Sequence, residues 1–188
     1  LMLTGAKPVY MVPSRNRYGI IGPIYPQEMQ PETLQKKISE SPLTKDKAGQ
    51  KPSYCVVTNC TYDGVCYNAK EAQDLLEKTS DRLHFDEAWY GYARFNPIYA
   101  DHYAMRGEPG DHNGPTVFAT HSTHKLLNAL SQASYIHVRE GRGAINFSRF
   151  NQAYMMHATT SPLYAICASN DVAVSMMDGN SGLSLTQE

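Results

Sequence analysis

The chain lacks any apolar run near the roughly 20 residues that cross a bilayer. Its first residues, Leu1-Met2-Leu3-Thr4-Gly5, have neither the basic start nor the long apolar stretch of a secretory leader. The sequence therefore predicts a cytoplasmic protein with no membrane partner. It also lacks an excess of either charge: 17 Lys and Arg stand against 18 Asp and Glu, a formal net charge of −1. That balance argues against a nucleic-acid or anionic-membrane surface and for small polar partners. Cysteine is sparse. Cys55, Cys60, Cys66 and Cys167 match neither a CxxC pair nor a small disulfide scaffold, so free thiols are expected. His121 and His124 are spaced as an HxxH pair, with Asp101-His102 and Asp111-His112 elsewhere, but the HExxH helix pattern is missing and no metal site is expected. There is no internal repeat and no low-complexity tract.

At 188 residues the chain has the size of about one domain, long enough to bury a sizeable core. Its apolar segments alternate between short runs and amphipathic stretches, as a parallel sheet with crossover helices requires. Strands are expected at Pro8–Val12, Tyr54–Val57, Arg82–Phe85, Thr116–Ala119 and Ser134–Val138. Helices are expected at Pro31–Ile38, with proline in the first turn, and at Asn68–Glu77, with Asn68 as the cap. Further helices are expected at Leu126–Leu130, Asn151–His157 and Pro162–Met177. Thr61 to Gly64 reads as a turn, and Tyr90 to Pro115 is longer than a passive connection usually runs, so it is expected to shape a pocket or an interface.

The densest chemistry lies in Thr116-Val-Phe-Ala-Thr-His-Ser-Thr-His-Lys125, where a buried strand ends in hydroxyls, imidazoles and one lysine. In open α/β sheets ligands bind at that strand edge, where hydroxyls and backbone N–H groups accept an anionic group. Asp86 and Glu87 fall just beyond the end of the preceding strand, so two strands deliver an acid and a lysine to one edge. Pyridoxal phosphate needs these groups: a lysine for its aldehyde, hydroxyls for its phosphate and a carboxylate for its ring nitrogen. Any enzyme using that cofactor, an aminotransferase or lyase included, would need them equally. Trp89, the only tryptophan, follows the acidic pair as a pocket wall or packing aromatic, and Tyr62 and Asp63 fall where they could line the mouth.

Asp86-Glu-Ala-Trp89, the run Phe118-Ala-Thr-His-Ser-Thr-His-Lys125-Leu-Leu-Asn-Ala-Leu-Ser-Gln-Ala-Ser134 and Tyr154-Met-Met-His-Ala-Thr-Thr-Ser-Pro162 resemble the fold-type-I, pyridoxal-phosphate-dependent decarboxylases of arginine, lysine and ornithine. Arg17-Tyr-Gly-Ile-Ile-Gly-Pro-Ile24 and Thr61-Tyr-Asp-Gly64 extend the resemblance along the chain. It implies an α/β fold of the aspartate-aminotransferase-like kind, a mostly parallel sheet with flanking helices. Residues 1–188 would form part of the cofactor-binding large domain, with an upstream phosphate loop and a carboxy-terminal domain lying outside the chain. Lys125 would hold the cofactor's aldehyde, Asp86 would pair with its ring nitrogen, and Ser122 and His124 would contact its phosphate. Thr159 would reach the phosphate of a neighbouring subunit, and Trp89 would stand at the pocket wall. Within the family the overall match points to the biodegradative, acid-inducible branch: L-arginine decarboxylated to agmatine, a proton consumed per turnover, and acid resistance as the outcome. Lysine or ornithine is the alternative substrate, and a truncated assembly module is the non-catalytic one. The resemblance further implies dimers assembled into a larger ring, and an isolated chain without activity of its own.

Overall fold

The computed structural model describes residues 3–187. Four strands, β1 (Cys55–Thr58), β2 (Arg82–Asp86), β3 (Thr116–His121) and β4 (Tyr135–Arg139), form one sheet in that order. β1, β2 and β3 run parallel, with Val57 opposite Phe85 and Asp86 opposite Thr120. β4 returns antiparallel, placing Tyr135 beside His121. The mixed α/β architecture with a mostly parallel sheet is the one the alternating segments predicted.

Two early helices cover one face of the sheet. α1 (Pro31–Glu40) opens on a proline that needs no intrahelical donor and buries Leu34 and Ile38, four residues apart on one stripe. α2 (Ala69–Leu76) starts at Asn68, whose side chain accepts from the Glu71 N–H at 3.1 Å. Its residues Ala69, Ala72, Gln73 and Leu76 then repeat at helical spacing and turn inward. Leu34, Ala69 and Leu76 meet Val57, Leu83, Phe85, Val117 and Ala119 in the main core. Burying each large side chain there contributes about 1.5–3 kcal/mol.

Three later helices, α4 (Phe147–His157), α5 (Tyr164–Met177) and α6 (Gly179–Gln187), are more loosely built in. α4 is capped by Asn146, which accepts from the Arg149 N–H at 3.0 Å, yet none of its residues is fully buried. α5 contributes Ala173 and Met177 to a small second core around Leu127. Among the described residues no helix is long and apolar enough to cross a membrane.

Three expectations are corrected. Pro8–Val12 is not a strand: the Val12 N–H donates to the Glu28 carboxylate at 2.9 Å instead of to a neighbouring strand, and Pro8 and Pro13 bracket the segment. The helix expected over Leu126–Leu130 is displaced toward the amino terminus, as a single turn, α3 (Thr123–Leu126). Leu127 drops into the second core, Asn128 takes a left-handed φ of 57°, and the Leu130 N–H goes to Ser169 Oγ at 3.0 Å. β3 in turn runs on through His121, which stays extended because β4 pairs with it.

Tyr90 to Pro115 is ordered by three short 3-10 turns, at Gly91–Phe95, Pro97–Tyr99 and Pro109–Asp111. Tyr90, Tyr92 and Tyr99 meet there edge to face, with centroids 5.4–5.7 Å apart.

Candidate functional site

The carboxyl ends of β2 and β3 deliver the polar residues. Parallel register sets Asp86 directly opposite Thr120, and the Thr120 hydroxyl and the Ala88 N–H both donate to Asp86 Oδ1, at 3.4 and 3.3 Å. A cleft of about 770 Å³ opens beside this pair, bounded by Asp86, His121 and Ser122 from the strand ends and by Tyr135, Phe150 and Asn170 across it. That is the size range of small-molecule sites.

The expected site residues separate into four settings. Asp86 and Ser122 both line the cleft. Lys125 lies on α3, with Nζ 4.6 Å from the centre of the Trp89 ring, and Trp89 is held edge to face by Tyr62 at 5.1 Å. His124 is half-buried with its ring fixed, since Nδ1 sits 2.8 Å from the Ala133 carbonyl. A carbonyl only accepts, so Nδ1 carries the proton and Nε2 is left for another partner. Thr159 stands apart. It is exposed on the link between α4 and α5, and its hydroxyl accepts from the Ser161 N–H at 3.1 Å.

Glu87 does not face the cleft. Its fully buried carboxylate accepts from Asn59 Nδ2 and the Ala104 N–H, both at 2.8 Å, and lies 3.0 Å from His121 Nε2. One side chain thereby ties the loop after β1, the long Tyr90–Pro115 segment and the end of β3 together. Leaving such a carboxylate without its donors would be costly. His121 also packs on His137, ring centres 4.9 Å apart, and burial holds His137 below its ordinary pKa, with His121 adding to the effect.

Sequence reasoning missed a side-chain chain behind Asp86. Tyr54 hydroxyl meets His84 Nδ1, and His84 Nε2 lies 3.1 Å from Thr120 Oγ1. The signal was there in the two-residue alternation of β2 and β3: His84 shares a face with Asp86, and Phe118 with Thr120. Burial holds the His84 imidazole below its ordinary pKa, opposed by the charges of Asp86 and Glu87. The Tyr54 phenol is pushed up to about 12, by burial first and the Asp86 charge second.

Comparison with known proteins gives a consistent answer. Residues 1–188 match the family model described as the Orn/Lys/Arg decarboxylase major domain. The lysine decarboxylase LdcA of Pseudomonas aeruginosa is 50% identical over 189 residues, covering 100% of this chain and 25% of that protein. The constitutive ornithine decarboxylase of Escherichia coli is 36% identical, covering 100% of this chain and 27% of its own length. The solved structure of lysine decarboxylase A from Pseudomonas aeruginosa superposes with a TM-score of 0.88 at 50% identity, covering 99% of this chain and 25% of that one. The chain thus spans about a quarter of the length of the curated relatives it matches.

Proposed function

The chain belongs to the Orn/Lys/Arg decarboxylase family, and from that premise we propose that it supplies part of the pyridoxal-phosphate site of an enzyme that decarboxylates a basic α-amino acid, lysine in the first place. The observation that carries the reading is the placement of Asp86 at the end of β2, with Lys125 one helical turn beyond the end of the adjacent β3. The cleft is lined by Asp86 and Ser122, while Lys125, Trp89 and His124 lie outside its lining, and the strand edge as a whole fits the cofactor in its donor chemistry. A backed carboxylate, the Ser122 hydroxyl and an imidazole nitrogen lie at one strand edge. Lys125 would hold the aldehyde, Asp86 the ring nitrogen, and Ser122 and His124 the phosphate, with Trp89 flanking. When bound, the cofactor supplies a conjugated ring that takes up the electron pair left as carbon dioxide departs.

The chain's own residues do the positioning. Thr120 and the Ala88 N–H fix the direction of the Asp86 carboxylate. The bond from His124 Nδ1 to Ala133 fixes that imidazole's plane, and with a second proton on Nε2 the ring would donate to an anion there. The Trp89 face gives Lys125 Nζ a favourable resting place when it is displaced, worth about 0.5–1 kcal/mol at a partly exposed site.

The named relatives favour lysine over arginine, and the higher identity to the lysine enzyme supports reading lysine ahead of ornithine. Agmatine formation depends on arginine specificity and loses support with it, and the named relatives lend no support to a role in acid resistance. Residues 1–188 are proposed as one part of the cofactor-binding domain, in a cytoplasmic enzyme. Thr159 is proposed to act in the site of a second subunit. Its exposure beside a helix that presents Tyr154, Met155 and Met156 to solvent favours self-association over a solitary chain.

The test is to load the full-length protein with pyridoxal phosphate, reduce with borohydride and map the modified peptide, then measure carbon dioxide release from lysine, ornithine and arginine. A single adduct on Lys125 with lysine the best substrate is the expected result. Preferred turnover of arginine would restore the arginine reading. The absence of an adduct on Lys125 would overturn the assignment.

A further inference from the structure

We propose that His84 and Tyr54 are positioning residues that hold the Asp86 carboxylate through Thr120, in a one-way chain of hydrogen bonds running across three strand positions. The inference rests on the assignment of Asp86 as the partner of the cofactor ring. Its direction follows from donor inventory. Oδ1 of Asp86 accepts, so the Thr120 hydroxyl donates to it at 3.4 Å. The same hydroxyl oxygen then accepts from His84 Nε2 at 3.1 Å, which places the ring proton on Nε2. Nδ1 is left bare and accepts from the Tyr54 hydroxyl. Every proton points toward the carboxylate, and one tautomer of His84 satisfies all three contacts.

The fold makes the chain rigid. His84 and Asp86 are two residues apart on β2 and share one face, while the register with β3 puts Thr120 beside Asp86. Tyr54 and Phe118 pack on the His84 ring, with centres at 5.8 and 6.5 Å, and Phe118 stacks on Phe150 at 6.3 Å. Partial burial of the imidazole favours its neutral form, which the directed chain requires.

None of these outer groups needs to touch the cofactor. Their role is to limit the directions Asp86 can take, as partners behind a liganding group do elsewhere. The arrangement predicts a graded response. His84→Leu removes the donor to Thr120, His84→Gln retains an N–H that can replace it, and Tyr54→Phe removes only the outermost donor.

The experiment uses the full-length protein with 15N-labelled histidine. Before cofactor is added, the His84 ring should show a protonated Nε2 and a bare Nδ1 at neutral pH, and Tyr54→Phe should mix the tautomers. After loading, His84→Leu should lower kcat by about tenfold with KM nearly unchanged and weaken cofactor binding by a similar factor, His84→Gln should recover most of both, and Tyr54→Phe should cost a few-fold. A proton on Nδ1 in the unmodified protein would overturn the proposal, as would a His84→Leu variant with unaltered kcat and cofactor affinity. Asp86→Asn, run beside them, separates the two readings. If it also leaves rate and cofactor affinity unchanged, the assignment of Asp86 fails; if it is crippled while His84→Leu is not, only the positioning chain fails.

Discussion

The two faces of the sheet are built from the same strands and do opposite things. On one, Val57, Leu83, Phe85, Val117 and Ala119 are each at most 1% exposed, under α1 and α2. On the other, one residue along, His84, Asp86, Phe118 and Thr120 are only half-buried and carry the polar chain beside the cleft. Strand alternation alone separates them, so stability and chemistry can be varied almost independently. A one-residue slip of β2 would exchange the two sets, and the apolar face therefore also secures the register of the site.

Substitutions can break this division. Phe85→Ala should cost about 3–5 kcal/mol in urea unfolding by opening the core, whereas Asp86→Asn should stay within about 1 kcal/mol of the parent while lowering decarboxylation by at least about a hundredfold. Comparable losses of stability from both would show that the faces are not independent. Glu87→Gln sits on the boundary, since its carboxylate is buried but touches cleft-lining His121. It should lose about 1.5–3 kcal/mol of stability, read from the same unfolding curves, because an amide cannot accept from Asn59, Ala104 and His121 alike. Asn68→Ala lies on the core side only and should cost about 1 kcal/mol through the lost cap, with no change in cofactor affinity measured by fluorescence titration.

Acid gives the smallest and most selective effect. Burial lowers the folded-state pKa values of His84 and His137 below the ordinary 6.5. The stability they contribute is therefore present above that value and lost as pH falls through the folded values. Urea midpoints should begin to drop as pH falls below about 6.5, and His84→Gln should remove part of the slope. An identical slope in the variant would place the acid sensitivity elsewhere.

Much of this was legible in the sequence because periodicity is a local signal. Asn68 announced its helix, Arg82–Phe85 and Thr116–Ala119 announced their strands, and the acid and lysine beyond them announced one shared edge. Other features depended on distant partners. Leu126-Leu127-Asn128-Ala129-Leu130 reads as helix until Leu127 is drawn into a core with Ala173 and Met177. Pro8–Val12 reads as a strand until Glu28 takes its N–H. The His84–Thr120 contact needed the β2–β3 register, which two separate strand patterns do not specify.

The return of β4 beside β3 has a consequence for timing. His121 and Tyr135 are paired across the ladder, so residues 122–134 form a closed loop whose two ends cannot drift apart. Inside it the His124 N–H and ring both engage the Ala133 carbonyl, and Leu130 is tied to Ser169. With the backbone under Lys125 pinned in this way, moving that side chain toward or away from the cleft requires only rotation about its own bonds. Such rotations take on the order of picoseconds to nanoseconds, far shorter than a lid opening, so in the role proposed for Lys125 its reorientation, as distinct from its bond chemistry, should not set the pace of turnover.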